Sequence, residues 1–478
     1  MTTHNTPRHV SPEKNLSMEQ RLQRVQEERA HIDAFDQERE LKPGQLTPRE
    51  RIAALVDDGS FLEIGAFAKS QHREVAEETP ADGVITGYAE IGGRRVVVLA
   101  EDPVALARTD AQVGKVKRNR MISSSVYRRL PLVYLADGTP QASPEFDMHQ
   151  GYLLSRVAEQ LPARDVAERE APFVTIAFGL CAGQNSSLAV RSDLLIATTH
   201  ARFGAANGSA EAVADLVCGD ESSAIAAAQR FLSTLPEELD TPLVPVSERP
   251  APPNAVLADD AMAATPREQF EAIFDAEGAI LLGPEDAICL VGLGRIAGLP
   301  VAFALTGGSP RSALGTSEMK RIARAAAWSA DYQVPFFSTQ DTLGYDPDDA
   351  ATPEFMHAAA RAVESLRASH AAKITIVSGW GYMLGDFALG GMGTGFDLLW
   401  CWPSGRVGVT DSPGYLARDP DSPPADEPWS AAELGIISEM LTPADTREWI
   451  ARALRLIGPG RALPAAHYDR GQQIHDMT

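Results

Sequence analysis

Apolar positions along the chain follow two different periods, and these periods predict most of its elements. Between residues 17 and 40, apolar residues such as Leu22, Val25 and Ile32 recur at helical spacing among Glu, Arg and Gln. We expect an amphipathic helix here, either solvated along its length or used as a docking arm. From Gly83 onward, short apolar runs of strand length alternate with helical segments. This alternation predicts βαβ units and a largely parallel sheet.

The predicted elements follow the same order in the two halves of the chain. Thr47 and Pro48 predict the N-cap and first position of a short helix that precedes the first half. The elements of the first half are a hairpin over 84–100, helix 111–127, strand 130–136, helix 147–160, strand 173–178 and strand 194–199. Those of the second half are a hairpin over 288–305, helix 315–330, strand 334–340, helix 353–369, strand 373–378, a loop over 411–430 and helix 443–457.

An internal repeat supports this division into halves. The run Asp193-Leu194-Leu195 recurs as Asp397-Leu398-Leu399, and Asp137 recurs as Asp341, both at an offset of 204 residues. Lys117 and Arg321 share that offset, and an upstream segment matches at 205. The chain therefore looks like two copies of one domain, which we expect to enclose a shared ligand cleft. We place a helical arm at 1–40, the domains at 41–247 and 257–478, and a Pro-rich linker at 248–256.

Composition excludes several classes of function. The 478 residues carry a net charge of −22, whereas general nucleic-acid binding requires a basic surface. The four cysteines are widely scattered, and the histidines form no metal-binding spacing, so we expect a reduced compartment and no metal site. No apolar run has the length of a membrane span, and the first residues lack a signal-peptide pattern. We expect a cytoplasmic protein.

Small-residue turns after strands are the candidate chemistry of this chain. Cys181-Ala182-Gly183 follows one predicted strand, Asp137-Gly138 another and Asp341-x-x-Gly344 a third. Such turns expose backbone N–H groups, which can stabilise a thioester enolate as an oxyanion hole. The alternative is tight packing of strand against helix, which needs small residues only for space. The residues alone leave both interpretations open.

Several segments, in order, resemble the carboxyltransferase (β) subunits of acyl-CoA carboxylases. Residues 44–52 and 58–63 resemble the N-terminal signature of that family, and residues 81–88 resemble the strand after it. Cys181-Ala182-Gly183 resembles the start of its C-A-G-G turn, Asp341-x-x-Gly344-Tyr345 resembles its D-x-P-G-F turn, and residues 443–447 match its P-A-D-T-R motif. The resemblance covers roughly residues 40–457. It implies an α/β chain of two tandem crotonase-like (ClpP/crotonase) domains, assembled as a homo-oligomer, normally a hexamer.

The resemblance also implies an activity and a set of site residues. The family transfers a carboxyl group from carboxybiotin to the α-carbon of an acyl-CoA. The biotin is attached to a carrier protein, and a biotin carboxylase partner carboxylates it. The amides of Gly183 and Gln184 would then hold the thioester enolate, and those of Leu384 and Gly385 the biotin ureido oxygen. Candidate contacts to the CoA phosphates are cations on two matching helices. The candidate substrate-binding residues are Lys115, Lys117, Arg321, Arg324, Asp137, Gly138, Ala182, Gly204, Asp341, Gly344 and Met383.

This chain departs from the family pattern at the turns themselves. Gln184 replaces the second glycine of the first turn, and Met383-Leu384 replaces a glycine pair in the second. Backbone amides persist whatever the side chain, but Met and Leu occupy space that biotin would need. Three functions therefore stay open: biotin-dependent carboxyl transfer, a biotin-independent acyl-thioester reaction (decarboxylation, hydrolysis or cyclisation), and a catalytically silent scaffold subunit. The acyl chain, and whether it rides on CoA or a carrier protein, is left open too.

Overall fold

The structure is a computed structural model, and its described residues form two similar halves. It describes residues 16–37, 41, 44–71, 73–109, 111–138, 169–204, 207–236, 257, 264–276, 278–284, 286–308, 313–382, 389–408 and 428–457, with only the backbone for Gln184 and Met392. Each half is built on a seven-stranded sheet. The predicted helix 147–160, the linker 248–256 and most of the predicted loop 411–430 lie outside the described residues.

The two sheets have the same strand order and the same strand directions. The orders are β1-β2-β3-β4-β5-β7-β10 and β11-β12-β13-β14-β15-β17-β19. The edge strand and the long hairpin of each sheet are antiparallel, and the five strands from the second hairpin strand onward are parallel. The strands of the first half are β1 Leu62–Glu63, β2 Val84–Ile91, β3 Arg94–Glu101, β4 Leu132–Ala136, β5 Phe173–Ala177, β6 Leu180–Ala182, β7 Leu194–Thr198, β8 Arg202–Gly204, β9 Gly208–Ser209 and β10 Leu216–Cys218. Those of the second half are β11 Ile280–Leu282, β12 Cys289–Ile296, β13 Leu299–Thr306, β14 Phe336–Gln340, β15 Lys373–Val377, β16 Trp380–Tyr382, β17 Leu398–Cys401, β18 Arg406–Gly408 and β19 Glu439–Met440.

Helices cover the sheets and connect the parallel strands. The predicted cap of the second helix is confirmed: Thr47 and Glu50 form a capping box with Pro48 at the first helical position. The same box recurs in the second half at Thr265 and Glu268, where we had not predicted a helix. The described α-helices are α1 Met18–Gln37, α2 Pro48–Leu55, α3 Pro103–Leu106, α4 Gln112–Arg128, α5 Gln184–Ala189, α6 Ala210–Val213, α7 Glu221–Thr234, α8 Pro266–Ile273, α9 Thr316–Tyr332, α10 Pro347–Ala350, α11 Pro353–Ala368, α12 Pro428–Glu433 and α13 Thr446–Ile457.

The repeat is confirmed in the sheets, but its register is less regular than the sequence predicts. β4 begins at Leu132 and β14 at Phe336, and β7 begins at Leu194 and β17 at Leu398, which are offsets of 204. Between them, β5 begins at Phe173 and β15 at Lys373, an offset of only 200. The hairpin strands β2 and β12 begin 205 residues apart, as the upstream segment predicts. The connection before β15 is four residues shorter than its counterpart and the one after it is four residues longer.

A buried seam joins the two halves. Helix α7, which the sequence analysis missed, packs between them, with the Phe231 ring 5.2 Å from the Trp328 ring of α9. The Trp328 indole N–H donates to the Asp193 carbonyl oxygen at 2.8 Å, and the Tyr332 hydroxyl donates to the Asp193 carboxylate at 2.5 Å. The seam makes one continuous core of residues from both halves. Because residues 237–256 are not described, the domain boundaries stay predictions.

Helix α1 packs against the rest of the chain near its C-terminal end. Ile32 is buried, whereas Met18, Leu22 and Val25 are exposed. Lys69 bonds to Glu28 of this helix, and the His31 ring lies 2.8 Å from the Glu77 carbonyl oxygen. The predicted helix is thus present, but Ile32 is its only buried residue among those described, so no continuous apolar face is buried; a docking role stays a prediction. Among the described helices, none combines the length and apolar character of a membrane span.

Candidate functional site

The small-residue turn after β6 is closed by its own hydrogen bonds. Gly183 has φ +58° and ψ −127°, a conformation that favours glycine, and helix α5 begins at the next residue. The Gly183 N–H donates to the Gly204 carbonyl oxygen at 3.0 Å. The Ser186 hydroxyl donates to the Cys181 carbonyl oxygen and accepts the Gly204 N–H at 2.9 Å. The Gly183 amide is therefore engaged within the protein, which argues against its predicted contact to an enolate.

Open space borders this turn. A Cβ atom added at Gly183 or at Gly204 would meet no other atom within 4 Å. Both glycines are exposed and Ala182 is half-buried. The Gln184 amide lies at the start of α5, where helix amides have no acceptor within their own helix. The turn thus offers a backbone donor beside vacant space.

A second predicted turn lies against the first. The Gly138 N–H donates to the Leu180 carbonyl oxygen at 2.7 Å, and the Asn185 side-chain amide reaches the Gly138 carbonyl oxygen at 3.3 Å. Asp137 precedes this glycine at the end of β4. Six residues predicted as site residues therefore lie together in the first half: Asp137, Gly138, Ala182, Gly183, Gln184 and Gly204.

Asp137 is part of a buried ion network rather than an exposed ligand. Its carboxylate accepts a hydrogen bond from the Arg51 guanidinium at 2.6 Å, and Arg51 binds Glu221 through two further bonds of 2.8 and 2.6 Å. The guanidinium also lies 4.2 Å from the centre of the Phe178 ring. Burial raises the pKa of Asp137 and Arg51 partly opposes this. The network joins α2, the end of β4 and α7. Arg51 of the N-terminal signature therefore has a structural role, linking these three elements.

A buried polar cluster, formed by Glu101, Arg118, Tyr134 and Asn185, lies behind the two turns. The Glu101 carboxylate accepts hydrogen bonds from the Tyr134 hydroxyl at 2.7 Å and from the Asn185 amide at 2.5 Å. Its other oxygen accepts the Asp137 N–H at 3.1 Å. Arg118 donates to the Asn185 side-chain oxygen at 2.9 Å. Burial raises the pKa of Glu101 to about 7, a shift that Tyr134 and Arg118 reduce.

None of the four residues of this cluster was predicted as a site residue. One signal was available: Glu101 ends the apolar run of β3, and a charged residue in a buried strand needs a partner. A second signal was Arg118, a basic residue that directly follows Lys117 on α4. The partners could not be read from the sequence because Arg118 and Asn185 are 67 residues apart.

Three of the four cations expected at CoA phosphates are directed elsewhere. Lys117 donates to the carbonyl oxygens of Ala81 and Val84 at 3.1 and 2.8 Å, and burial lowers its pKa to about 8. Arg321 pairs with Glu318 at 2.7 Å on its own helix. Arg324 reaches across the seam to Asp215 at 2.9 Å and to the Ser192 carbonyl oxygen. These contacts favour structural roles for the three; Lys115 is half-buried in the first turn of α4.

The matching region of the second half is only partly described. The Asp341 carboxylate accepts the Trp380 N–H at 2.9 Å, and the Thr342 N–H donates to the Trp380 carbonyl oxygen at 3.1 Å. Gly344 has φ +92°, which favours glycine. The predicted biotin-site residues Met383, Leu384 and Gly385 lie outside the described residues. Among the described side chains, no group of three His, Cys, Asp or Glu residues could hold a metal ion.

Comparison with known proteins agrees with this architecture. Residues 39–202 match the carboxyl transferase domain family. The biotin-dependent acetyl-/propionyl-coenzyme A carboxylase beta5 subunit of Mycobacterium tuberculosis is 24% identical over 484 residues, covering 87% of each chain. The methylmalonyl-CoA carboxyltransferase 12S subunit of Propionibacterium freudenreichii subsp. shermanii is 24% identical and covers 93% of this chain and 95% of that protein.

A solved structure extends the agreement to the fold of the whole chain. It is the transcarboxylase 12S hexamer with hydrolyzed methylmalonyl-coenzyme A bound, with a TM-score of 0.81 at 23% identity, covering 95% of this chain and 98% of that one. The similarity includes both halves, so the predicted pair of crotonase-like domains is confirmed. Residues 39–202 thus match the carboxyl transferase domain, and most of the chain is similar in sequence and fold to carboxyltransferase subunits of this kind.

Proposed function

We propose that the chain is an acyl-CoA carboxyltransferase-like subunit. It accepts a carboxyl group from carboxybiotin on a carrier protein and transfers it to the α-carbon of an acyl-CoA. The observation that carries the proposal is the turn around Gly183, which presents the Gln184 amide beside the open space at Gly183 and Gly204. An amide fixed in this way can stabilise the negative oxygen of a thioester enolate, and a lost donor of this kind costs about 3 kcal/mol.

The two halves have different roles in this proposal. The first half binds the acyl thioester, with Gln184 as oxyanion donor and Lys115 near the CoA phosphates. The second half would receive biotin, with the amides of Leu384 and Gly385 as candidate donors to its ureido oxygen and Met383 as a candidate binding residue. When bound, carboxybiotin would supply both the CO₂ and the base that removes the α-proton. The enolate carbon then forms the new bond to CO₂, so no side-chain base is required.

The same comparison supports a proposal for the assembly. The transcarboxylase 12S subunit, which shares this fold, is described as a hexamer. We propose a homo-oligomer, a hexamer of about 300 kDa, in the cytoplasm, working with a biotin carboxylase and its carrier; closed symmetric assemblies are the common case. Light scattering at micromolar concentration gives the mass directly. A monomer would contradict the proposal.

Reverse transfer tests the activity without the carrier protein. The purified protein is incubated with methylmalonyl-CoA or malonyl-CoA, with and without biocytin, and the CoA products are separated by chromatography. Loss of the carboxyl group that depends on biocytin supports the carboxyltransferase. Equal loss without biocytin supports the biotin-independent reaction, and no turnover with either thioester contradicts both and leaves the scaffold role. The Met383→Gly/Leu384→Gly variant is expected to raise transfer to biocytin by opening space for the ring.

A further inference from the structure

The buried polar cluster has a feature that the proposed function does not use. Glu101 is 2% exposed and Tyr134 is fully buried, yet Glu101 forms no direct ion pair among the described residues. Its three hydrogen-bonding neighbours are the Tyr134 hydroxyl, the Asn185 amide and the Asp137 N–H. All three donate to it, so the surroundings suit a carboxylate ion. Burial opposes that ion, because low-polarity surroundings disfavour charge.

Asn185 connects this carboxyl group to the turn. Its side-chain oxygen accepts from Arg118, which can only donate, so its NH₂ group must face Glu101 and the Gly138 carbonyl oxygen. The residue directly follows Gln184, the proposed oxyanion donor. Arg118 is 7% exposed, and its Nε has no hydrogen-bond partner among the described residues. The guanidinium is therefore held by Asn185 and by its attraction to Glu101 rather than by a full set of acceptors.

We infer that Glu101 is a positioning residue, which fixes the turn at Gly183 and Gln184 through Asn185 and which turnover requires as a carboxylate. The inference rests on the proposed function, since it assigns the turn its place beside the thioester. A protonated Glu101 would have to donate to a neighbour, and of its three partners only the Tyr134 hydroxyl can accept. Protonation therefore reverses that bond and removes the attraction that holds Arg118 against Asn185.

The charged groups around Glu101 set the pH range of this effect. Burial raises its pKa to about 7, and Tyr134 and Arg118 lower it. Cys181 of β6 and Asp137 at the end of β4 also face it, and burial raises the pKa of both. One step further, Asp137 contacts the Arg51–Glu221 pair and lies near Asp102. Turnover is thus expected to fall as the pH drops below 7.

The test is the pH profile of reverse transfer from methylmalonyl-CoA to biocytin between pH 5.5 and 8.5. Wild-type kcat is expected to fall about tenfold from pH 8 to pH 6, as a single ionisation near 7 requires. The Glu101→Gln variant should have a low kcat without that fall and a KM close to wild type. Tyr134→Phe removes a donor to the carboxylate, so its midpoint should move to higher pH. Circular dichroism establishes that each variant is folded.

Two matched variants act as controls. Tyr88→Phe removes a tyrosine hydroxyl that bonds to Ser124 at 2.6 Å away from the cluster, and Glu268→Gln changes a capping-box carboxylate in the second half. Both should retain the wild-type midpoint. The inference alone would be overturned if the wild type is active, Tyr134→Phe has the wild-type midpoint, and kcat of Glu101→Gln falls with pH as in wild type. A wild-type protein that is inactive with and without biocytin would overturn the proposed function, and the inference with it.

Discussion

The two halves share one scaffold but differ in how they fill its interior beneath the turns. Glu101 and Thr306 both end the second hairpin strand, Arg118 and Ile322 occupy the same position on matching helices, and Tyr134 and Ser338 match in β4 and β14. The first half thus has a carboxylate, a guanidinium and a phenol where the second has two hydroxyls and an aliphatic side chain. The aspartate after the strand is common to both, as Asp137 and Asp341.

The partners of that shared aspartate also differ: its partner is charged in the first half and neutral in the second. Asp137 accepts from the Arg51 guanidinium, whereas Asp341 accepts from the backbone N–H of Trp380. Arg51 lies four residues after the capping threonine of α2. At the same place in α8 stands Gln269, which donates to the carbonyl oxygens of Ala264 and Thr306. The scaffold therefore does not require buried charge. Buried ionisable groups are costly and tend to mark functional sites, so the difference favours distinct roles for the halves.

Removing the arginine of this network should have the largest effect. Arg51→Met leaves the Asp137 and Glu221 carboxylates buried without their cation, which is expected to lower the free energy of unfolding by about 3–5 kcal/mol. The matched change Gln269→Met removes only neutral hydrogen bonds and should cost about 1–3 kcal/mol. Urea unfolding followed by circular dichroism measures both. Equal losses would show that the buried ion network of the first half contributes no more to the free energy of unfolding than the neutral hydrogen bonds of Gln269.

Glu101 should make the stability of the first half depend on pH. Its pKa is about 7 in the folded protein and near 4.5 when exposed. Between these values the folded state retains a proton that the unfolded state has lost, so stability falls as the pH rises, by about 3 kcal/mol in all.

Comparison of unfolding midpoints at pH 5 and pH 8 measures this effect. The Glu101→Gln variant should lose less stability than wild type over this interval. Thr306→Val, the change at the matching position, should follow the wild-type pH dependence because it removes no ionisable group. A wild-type and a Glu101→Gln protein with the same pH dependence would contradict the raised pKa.

The smallest expected effect concerns the cations on α4 and α9. Lys115→Ala should weaken acyl-CoA binding about two- to fivefold, and more at low salt, because a charge that is partly exposed to solvent contributes less than about 1 kcal/mol. Arg324→Ala should leave the affinity unchanged and lower stability, since Arg324 bonds to Asp215 across the seam. Isothermal titration calorimetry at two salt concentrations separates them. Weaker binding in Arg324→Ala would restore it to the CoA site.

The sequence by itself determined the long strands, most of the long helices and their order, but not α7 or α8. Apolar periodicity located the hairpins, the long helices and the strands to within a few residues, because burial of one face is a local property of the chain. The cap at Thr47 and the turn at Gly183 were also predictable, because each depends on the conformational preferences of neighbouring residues. The missed helix α7 is rich in Ala and Ser, and Ile225, Phe231 and Leu232 are its only large apolar residues.

Only the tertiary structure decided which side chains meet. Arg51 bonds to Asp137 and Glu221, 86 and 170 residues away, and Glu101 meets Asn185 across 84 residues. These pairings depend on the order and register of the parallel strands, which no local pattern specifies. The direction of Lys117 was undetermined for the same reason: its charge predicted a phosphate partner, but packing of α4 against β2 places its amine among backbone carbonyl oxygens. The sequence thus specifies which groups are available, and the packing of distant segments decides which become a site.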